Sequence, residues 1–528
     1  MTSTLTRPSP ASSVDDAGVD RPRPSAAGTW FTTGDHKRLG LLFLYGGIAA
    51  VAAACVSAAI FFLRAGAPTL WTAPGSRLTS INAAAALVIG IPALWIGIAT
   101  YVMPLQIGAT RLALPRLHNL ALWTYAVGGA LTTVGFVADD DVPNSLTSSI
   151  PAAAAGRGSD GAQLVIVGLL LVALAIGLAS VSLLVTVLNR RAEGLRLTFL
   201  PLFSWSVLAV ASVALLASGV LVAGLVLLFY DWHDGSTLFT GLTNGPRRVW
   251  QHDLWIPGTP FGLLFTAAGV GIFCDVVATH ARKPLAGFPV ARVLAVAAPL
   301  LTLLLWAGNT SVLSSPFGPT GTLGGLLVFA PIGLAVLVWL GTFKGSKPKA
   351  HPSLVFLLLF LALIGLAKVL SIAAVLVGVE GGDAEAFRNG QITLLTFGAP
   401  LLALGAAAAH WSPKLWGRVN PMGTSAVQAL LLFGGPVLMA LPGYLVGLGA
   451  DDAVVPIGIA GAAVTAAGVL MFALDIASRG ATSDADPYGG HTLEWATDSP
   501  PADHNFDDLP DIRSAHPLTD GAPAGASA

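Results

Sequence analysis

Charge is what this sequence has least of. Lysine, arginine, aspartate and glutamate make up 10% of its 528 residues, while 54% are hydrophobic and the mean hydropathy is +0.75. Soluble domains carry roughly 25% charged residues. A water-facing exterior cannot be covered from this supply, which excludes a soluble globular fold. The 27 basic and 28 acidic residues leave a net charge of −1, so no global field favours nucleic acid or an acidic partner. Cysteine is nearly absent too. Cys55 and Cys274 lie inside apolar runs without CxxC spacing, which argues against a disulfide framework and a thiolate metal site. There is no secretory leader pattern, and residues 1–35, rich in Ser, Pro, Ala and Asp, read as a disordered cytoplasmic tail.

What is present is apolar sequence in runs of roughly 20 residues or more, long enough to cross about 30 Å of hydrocarbon. Twelve such segments are marked. They run from Leu39 to Leu63, Ile81 to Leu105, Asn119 to Ala138, Gln163 to Leu188, Leu200 to Tyr230 and Leu254 to Thr279. The second six run from Val290 to Leu313, Thr320 to Phe343, Leu354 to Val379, Ile392 to His410, Ala426 to Gly449 and Val454 to Ile476. Their length excludes barrel strands, so the expected fold is an all-α membrane protein with twelve transmembrane helices. The membrane domain occupies residues 36–477, and residues 478–528 form a polar cytoplasmic tail.

Loop charge predicts the orientation. The connections after helices two, four, six, eight and ten carry thirteen Lys and Arg, from Arg111 to Arg418; the others carry six, from Arg64 to Arg388. The positive-inside rule then places both termini in the cytoplasm of a multi-pass protein of the cell membrane. Gly269 and Gly271 fall within a helix with no strand before them. They read as packing glycines rather than as a nucleotide loop.

Several blocks recur in a fixed order. Thr33-Gly34-Asp35-His36-Lys37-Arg38-Leu39-Gly40 precedes helix one, and Met103-Pro104-Leu105-Gln106-Ile107-Gly108-Ala109 follows helix two. Trp250-Gln251-His252 precedes helix six, and Arg282-Lys283-Pro284-Leu285 follows it. Trp339-Leu340-Gly341-Thr342 closes helix eight, Pro413-Lys414-Leu415-Trp416-Gly417-Arg418 follows helix ten, and His491-Thr492-Leu493-Glu494-Trp495-Ala496-Thr497 lies in the tail. Together these blocks resemble bacterial cytochrome c oxidase subunit I, of the aa3-type branch of the haem–copper oxidases. The resemblance implies a twelve-helix bundle enclosing two haems and a copper ion, held by six histidines on helices two, six, seven and ten. It also implies a place in the aerobic respiratory chain.

At those ligand positions this sequence has other residues. Asn82 stands on helix two, Thr259 on helix six, Gly308 and Asn309 on helix seven, and Gln391 and Thr393 on helix ten. All ten histidines fall at helix ends, in loops or in tails, none near the middle of an apolar segment. A buried haem needs a strong axial ligand and a copper site needs clustered imidazoles. The family's acid after helix two is replaced by Arg111, its helix-six Glu by Phe261, its Tyr by Leu263 and its helix-eight Lys by Ala335. Its propionate-holding arginines fall near Gly443 and Tyr444. The expectation is therefore a degenerate member with no haem or copper ligand and no catalytic residue.

Lys368, deep in helix nine, is the candidate intramembrane functional charge. The structural alternative is snorkelling, or pairing with Glu380 or Asp383. Asp275 is expected to be structural, beside Arg282 and Lys283. Asn82, Asn309, Gln391 and Thr393 read as interhelical hydrogen-bonding groups, worth roughly 0.6 kcal/mol each. Three functions compete. The first is a non-catalytic paralogue with a structural, assembly or regulatory role, in contact with lipid and with other oxidase subunits or a ligand-complete subunit I. The second is an active terminal oxidase coupling cytochrome c oxidation and oxygen reduction to proton pumping. The third is a transporter or small-molecule binder using the emptied core.

Overall fold

The computed structural model describes residues 32–66, 88–138, 160–234, 259–308, 319–379, 381–450, 454, 456–478, 480 and 484–519. The chain divides into Met1–Thr33 and Gly34–Ala528, and the second unit holds every helix. Among the described residues there is no strand. In hydrocarbon every backbone polar group must be satisfied within its own segment, so apolar runs of this length become helices.

Twelve helices make up the bundle. They are α1 His36–Gly66, α2 Ile91–Gln106, α3 Pro115–Ala138, α4 Asp160–Asn189, α5 Leu202–Asp234 and α6 Thr259–Ala281. Then come α7 Phe288–Gly308, α8 Pro319–Phe343 and α9 Pro352–Val377. The tenth, α10, is composite: Gly381–Ile392, a π-helical turn Thr393–Gly398, and Ala399–His410. Met422–Val446 forms α11 and Ile457–Ala477 forms α12. Nine of these carry a described stretch long and apolar enough to cross a membrane; in α7 and α8 the described stretches are the shorter Phe288–Leu303 and Phe329–Phe343.

Sequential helices pack side by side, and α12 returns to α1. The apolar stretches of α2 and α6 are buried along their whole length and that of α10 nearly so, whereas α9 and α12 present most of theirs outward. Large side chains fill the centre: Trp95 on α2, Phe265 and Phe273 on α6, and Phe356 and Phe360 on α9. Apolar helices gain little from leaving lipid for one another, so close packing must supply the attraction, and small residues permit it. At the α3–α4 crossing, a Cβ on Gly168 would lie 2.4 Å from Thr132 Oγ1 and 2.7 Å from the Gly128 carbonyl. Gly168→Ala will therefore push the two helices apart, at a cost of about 1–3 kcal/mol. In Gly219→Ala on α5, the new Cβ has nothing within 4 Å. A thermal-unfolding comparison in detergent should show a lower midpoint for the first variant alone; equal losses would refute the crossing as the cause.

The π turn leaves one carbonyl to be satisfied from another helix. Its i→i+5 pattern would draw the Leu395 carbonyl to residue 400, which is Pro400 and has no N–H. Thr266 on α6 supplies the missing donor, its hydroxyl 2.5 Å from that oxygen. One end of the bundle gathers the connections after α2, α4, α6, α8 and α10. Ala192 N–H donates to Ile107 O (2.9 Å), Lys349 N–H to His280 O (3.3 Å), and Gly480 N–H to Trp416 O (2.9 Å). The C-terminal segment 484–519 is folded onto this same end, with Leu493, Glu494 and Trp495 buried.

Candidate functional site

The residues singled out in the sequence divide between the centre of the bundle and its connected end. Asn82 and Asn309 lie outside the described residues; Thr259 opens α6 and Gly308 closes α7. Gln391 and Thr393 lie on α10, both committed to backbone carbonyls. Gln391 Nε2 donates to Ala367 O on α9 at 3.3 Å, and Thr393 Oγ1 to Asn389 O at 3.0 Å. One turn beyond Thr393 and one turn beyond Thr259, α10 and α6 touch: a Cβ on Gly262 would lie 2.3 Å from Thr396 Cβ. Phe261 and Leu263 are buried and apolar there. Lys368 places Nζ 4.0 Å from the centroid of the Phe329 ring, so an aromatic face across the α8–α9 gap receives its charge. Glu380 and the Asp383 side chain lie outside the described residues.

At the connected end, charge is buried in quantity. Gln106, the last residue of α2, donates from one Nε2 to Asp275 Oδ2 at 2.9 Å and to Glu494 Oε1 at 3.0 Å. Its Oε1 accepts from Ser204 Oγ at 2.8 Å, which fixes the amide orientation. Asp275 also accepts from the backbone N–H groups of Leu202 and Phe203, at 3.2 and 3.3 Å. These lie at the start of α5, where unpaired N–H groups and the helix dipole favour an anion. The donors to Asp275 thus come from α2 and α5 rather than from the expected neighbours Arg282 and Lys283; Lys283 Nζ donates to Lys344 O at 2.8 Å.

Lys414 is fully buried within a short helix, Ser412–Trp416. Its Nζ donates to three carbonyls of the C-terminal segment: Ala485 at 2.8 Å, Thr497 at 2.5 Å and Asp498 at 3.3 Å. Burial pushes its pKa down to about 8, against the pull of Glu494, Asp486 and Asp498. Burial likewise holds the Glu494 carboxyl above its ordinary value, partly offset by hydrogen bonds from Gln106, Thr492 and Trp411. A third anchor is Asn505. His36 Nδ1 donates to Thr100 O at 3.2 Å, so its Nε2 is the acceptor for Asn505 Nδ2 at 2.9 Å. Asn505 Oδ1 then accepts from Lys37 Nζ at 2.8 Å.

Three histidines meet at this end, against Tyr488 of the C-terminal segment: His280 from α6, His351 before α9 and His410 closing α10. The His280 and His351 rings stack at 4.0 Å, and His280 Nε2 lies 3.2 Å from His410 Nδ1. Tyr488 packs against all three. Stacked rings point their in-plane lone pairs side by side rather than at one centre. Among the described residues no group of three His, Cys, Asp or Glu is arranged to hold a metal ion. The sequence marked His410 only as one of the histidines at helix ends. Lys414 and Glu494 carried a usable signal, an ionisable group close in sequence to Trp416 and Trp495, yet were given no role; Gln106 carried no such signal.

Known proteins resemble this chain along most of its length. The family model described as Cytochrome C and Quinol oxidase polypeptide I matches residues 38–451. The chain is 29% identical to cytochrome c oxidase subunit 1 of Synechocystis over 433 residues, 78% of each protein. It is 28% identical to that of Thermostichus vulcanus over 506 residues, 90% of each. A probable cytochrome c oxidase subunit 1-alpha of Streptomyces coelicolor is 29% identical, over 98% of this chain and 95% of that one. The cryo-EM structure of a heme-copper terminal oxidase dimer aligns with TM-score 0.54 at 12% identity, over 83% of this chain and 82% of that chain. At that identity the likeness is one of fold.

Proposed function

The chain belongs to the Cytochrome C and Quinol oxidase polypeptide I family, and from that premise we propose a subunit I-like membrane protein that works without haem or copper. Fold alone does not carry an activity; the site does. Two haems and a copper ion are what the family implies, and the residues present do not fit them. The observation that carries the reading is the contact of α6 with α10 at Gly262 and Thr396. It closes the space between the two helices, one turn from Thr259 and Thr393. Gln391 and Thr393 offer an amide and a hydroxyl already bonded to carbonyls, where a haem iron requires a strong axial ligand.

The role that remains is structural, assembly or regulatory, beside other oxidase subunits or a ligand-complete subunit I in a respiratory membrane. The positive-inside rule places the connected end, with Arg111, Arg190, Arg282 and Lys344, in the cytoplasm. The test is a reduced-minus-oxidised visible spectrum of the purified, folded chain, with a pyridine haemochrome and a copper assay. The expected result is neither haem nor copper. Stoichiometric haem with copper would overturn the reading and restore the active terminal oxidase.

A further inference from the structure

A pocket opens at the connected end beside Asp275, lined also by Cys274 and Thr279 of α6 and by His491, Thr492 and His516 of the C-terminal segment. Behind it stands the pair of carboxyl groups joined through Gln106. We propose that Asp275 and Glu494 together hold one proton at neutral pH, taken up through this pocket, and that this proton fastens the C-terminal segment to the bundle. The inference does not depend on whether the protein holds haem.

The geometry assigns the two carboxyls different parts. Asp275 has three N–H donors, from Gln106, Leu202 and Phe203. Hydrogen bonds to the charged form favour it, and the start of α5 adds its dipole. Asp275 is therefore the anion of the pair. Glu494 uses Oε1 for Gln106 Nε2 and for Trp411 Nε1, the latter at 3.3 Å. Its Oε2 is buried without a hydrogen bond of ordinary geometry, the Thr492 side chain and the residue's own N–H being the other donors beside the carboxyl, and the residue is 0% exposed. An ionised Glu494 would leave half its charge unsolvated and face a second carboxylate across a single nitrogen. In a poorly solvated site that repulsion is large, and one of two such groups keeps its proton.

The other groups facing the pair do not remove this need. Lys414 is the nearest cation, but its Nζ is spent on three carbonyls. Cys274 donates nothing to either carboxyl; Trp339 Nε1 instead donates to its Sγ at 3.3 Å. Burial lowers the pKa of His491, with Asp486 acting the other way. It lines the pocket together with His516, on the route by which a proton would arrive. Glu494 sits in the C-terminal segment and Asp275 on α6, so losing the proton sets two like charges against each other across the joint.

Infrared difference spectra of the full-length protein between neutral and alkaline pH test this. The expected result is a protonated-carboxyl C=O band at neutral pH that titrates away, and that is lost in both E494Q and D275N. Loss in D275N is the decisive arm, because removing the neighbouring charge lets Glu494 ionise. A band that persists in D275N would mean that burial alone protonates Glu494, and the shared proton would be refuted. Absence of the band from the wild-type protein at neutral pH refutes it without any variant. For the fastening, amide hydrogen exchange across residues 484–519 should quicken as the band disappears; unchanged exchange would overturn that half.

Discussion

Replacing Lys414 with methionine will release the C-terminal segment from the bundle while leaving the twelve helices assembled. The methionine keeps much of the apolar stem against Trp495, whose ring the Lys414 Nζ overlies at 5.5 Å. What it removes is a buried ammonium with three carbonyl partners. Breaking a buried ionic arrangement by removing one member costs about 3–5 kcal/mol, because the groups left behind stay buried and unpaired. Here the Ala485, Thr497 and Asp498 carbonyls lose their donor, and Glu494 loses its nearest cation. These carbonyls all belong to the segment, so it can lift off and return them to water. The helices α2, α6 and α10 have no such escape, and the bond from Tyr101 Oη on α2 to the Lys414 carbonyl at 2.6 Å is made to backbone that the substitution keeps. The loss should therefore appear as local opening. Limited proteolysis within 484–519 and hydrogen exchange across it will report the change, with the thermal midpoint of the helices moving far less. A segment as protected as in the wild type would refute the anchor. Lys414→Arg would not restore it, since a planar fork differs in shape from a rotating ammonium aimed at three carbonyls.

The twelve helices were legible because each is a long apolar run and little else competes for such a run in lipid. Their ends were less so. The sequence places helix ten at Ile392, yet helix begins at Gly381, because Gly381–Gln391 is too polar to register by hydropathy. Contacts with α11 fix this stretch: a Cβ on Gly390 would lie 2.9 Å from Ala440 O, and one on Gly443 2.7 Å from Ala386 O. The tail was legible as a polar segment leaving the membrane, but not as a cover. Its buried residues, Leu493, Glu494, Trp495, Asn505 and Ile512, come in small groups among polar ones and follow no helical or strand period. Asp275 was matched to Arg282 and Lys283 by proximity in sequence. Its actual partners on α2 and α5 lie 169 and about 73 positions away. Lys368 was read as a candidate functional charge, with snorkelling or pairing with Glu380 or Asp383 as the alternative; those two side chains lie outside the described residues, and the structure sets Lys368 over Phe329. Side chains chosen by tertiary packing leave no trace in a local window.

Acidification will weaken the same end of the bundle through His351, and His351→Asn will remove that part of the pH dependence. His351 is buried and its pKa is pushed down to about 4 by burial, against about 6.5 in an unfolded chain. Above pH 6.5 the imidazole is neutral in both states and contributes no difference. As pH falls from about 6.5 to about 4, the unfolded chain binds a proton that the folded one refuses, so stability falls throughout this window. Below about 4 both states are charged and the loss is complete. A depression of this size corresponds to about 3 kcal/mol. The structural reason is the stack. A charged His351 would face the ring of His280 at 4.0 Å, with Tyr488 at 4.8 Å, and its added proton would fall on Nδ1, the atom that accepts from Ser353 N–H. Asparagine suits the position for a separate reason. The His351 side chain caps α9 by accepting from Ser353 N–H at 3.3 Å, and asparagine is a strong residue for that role. His351→Asn should therefore keep the helix start and lose the titration. Thermal midpoints at pH 7 and near pH 4.5 make the comparison, since carboxylates shared by both proteins contribute equally to each slope. A variant as acid-sensitive as the wild type would place the sensitivity elsewhere. A flattened slope would show that the end of α9 is held by keeping one imidazole uncharged.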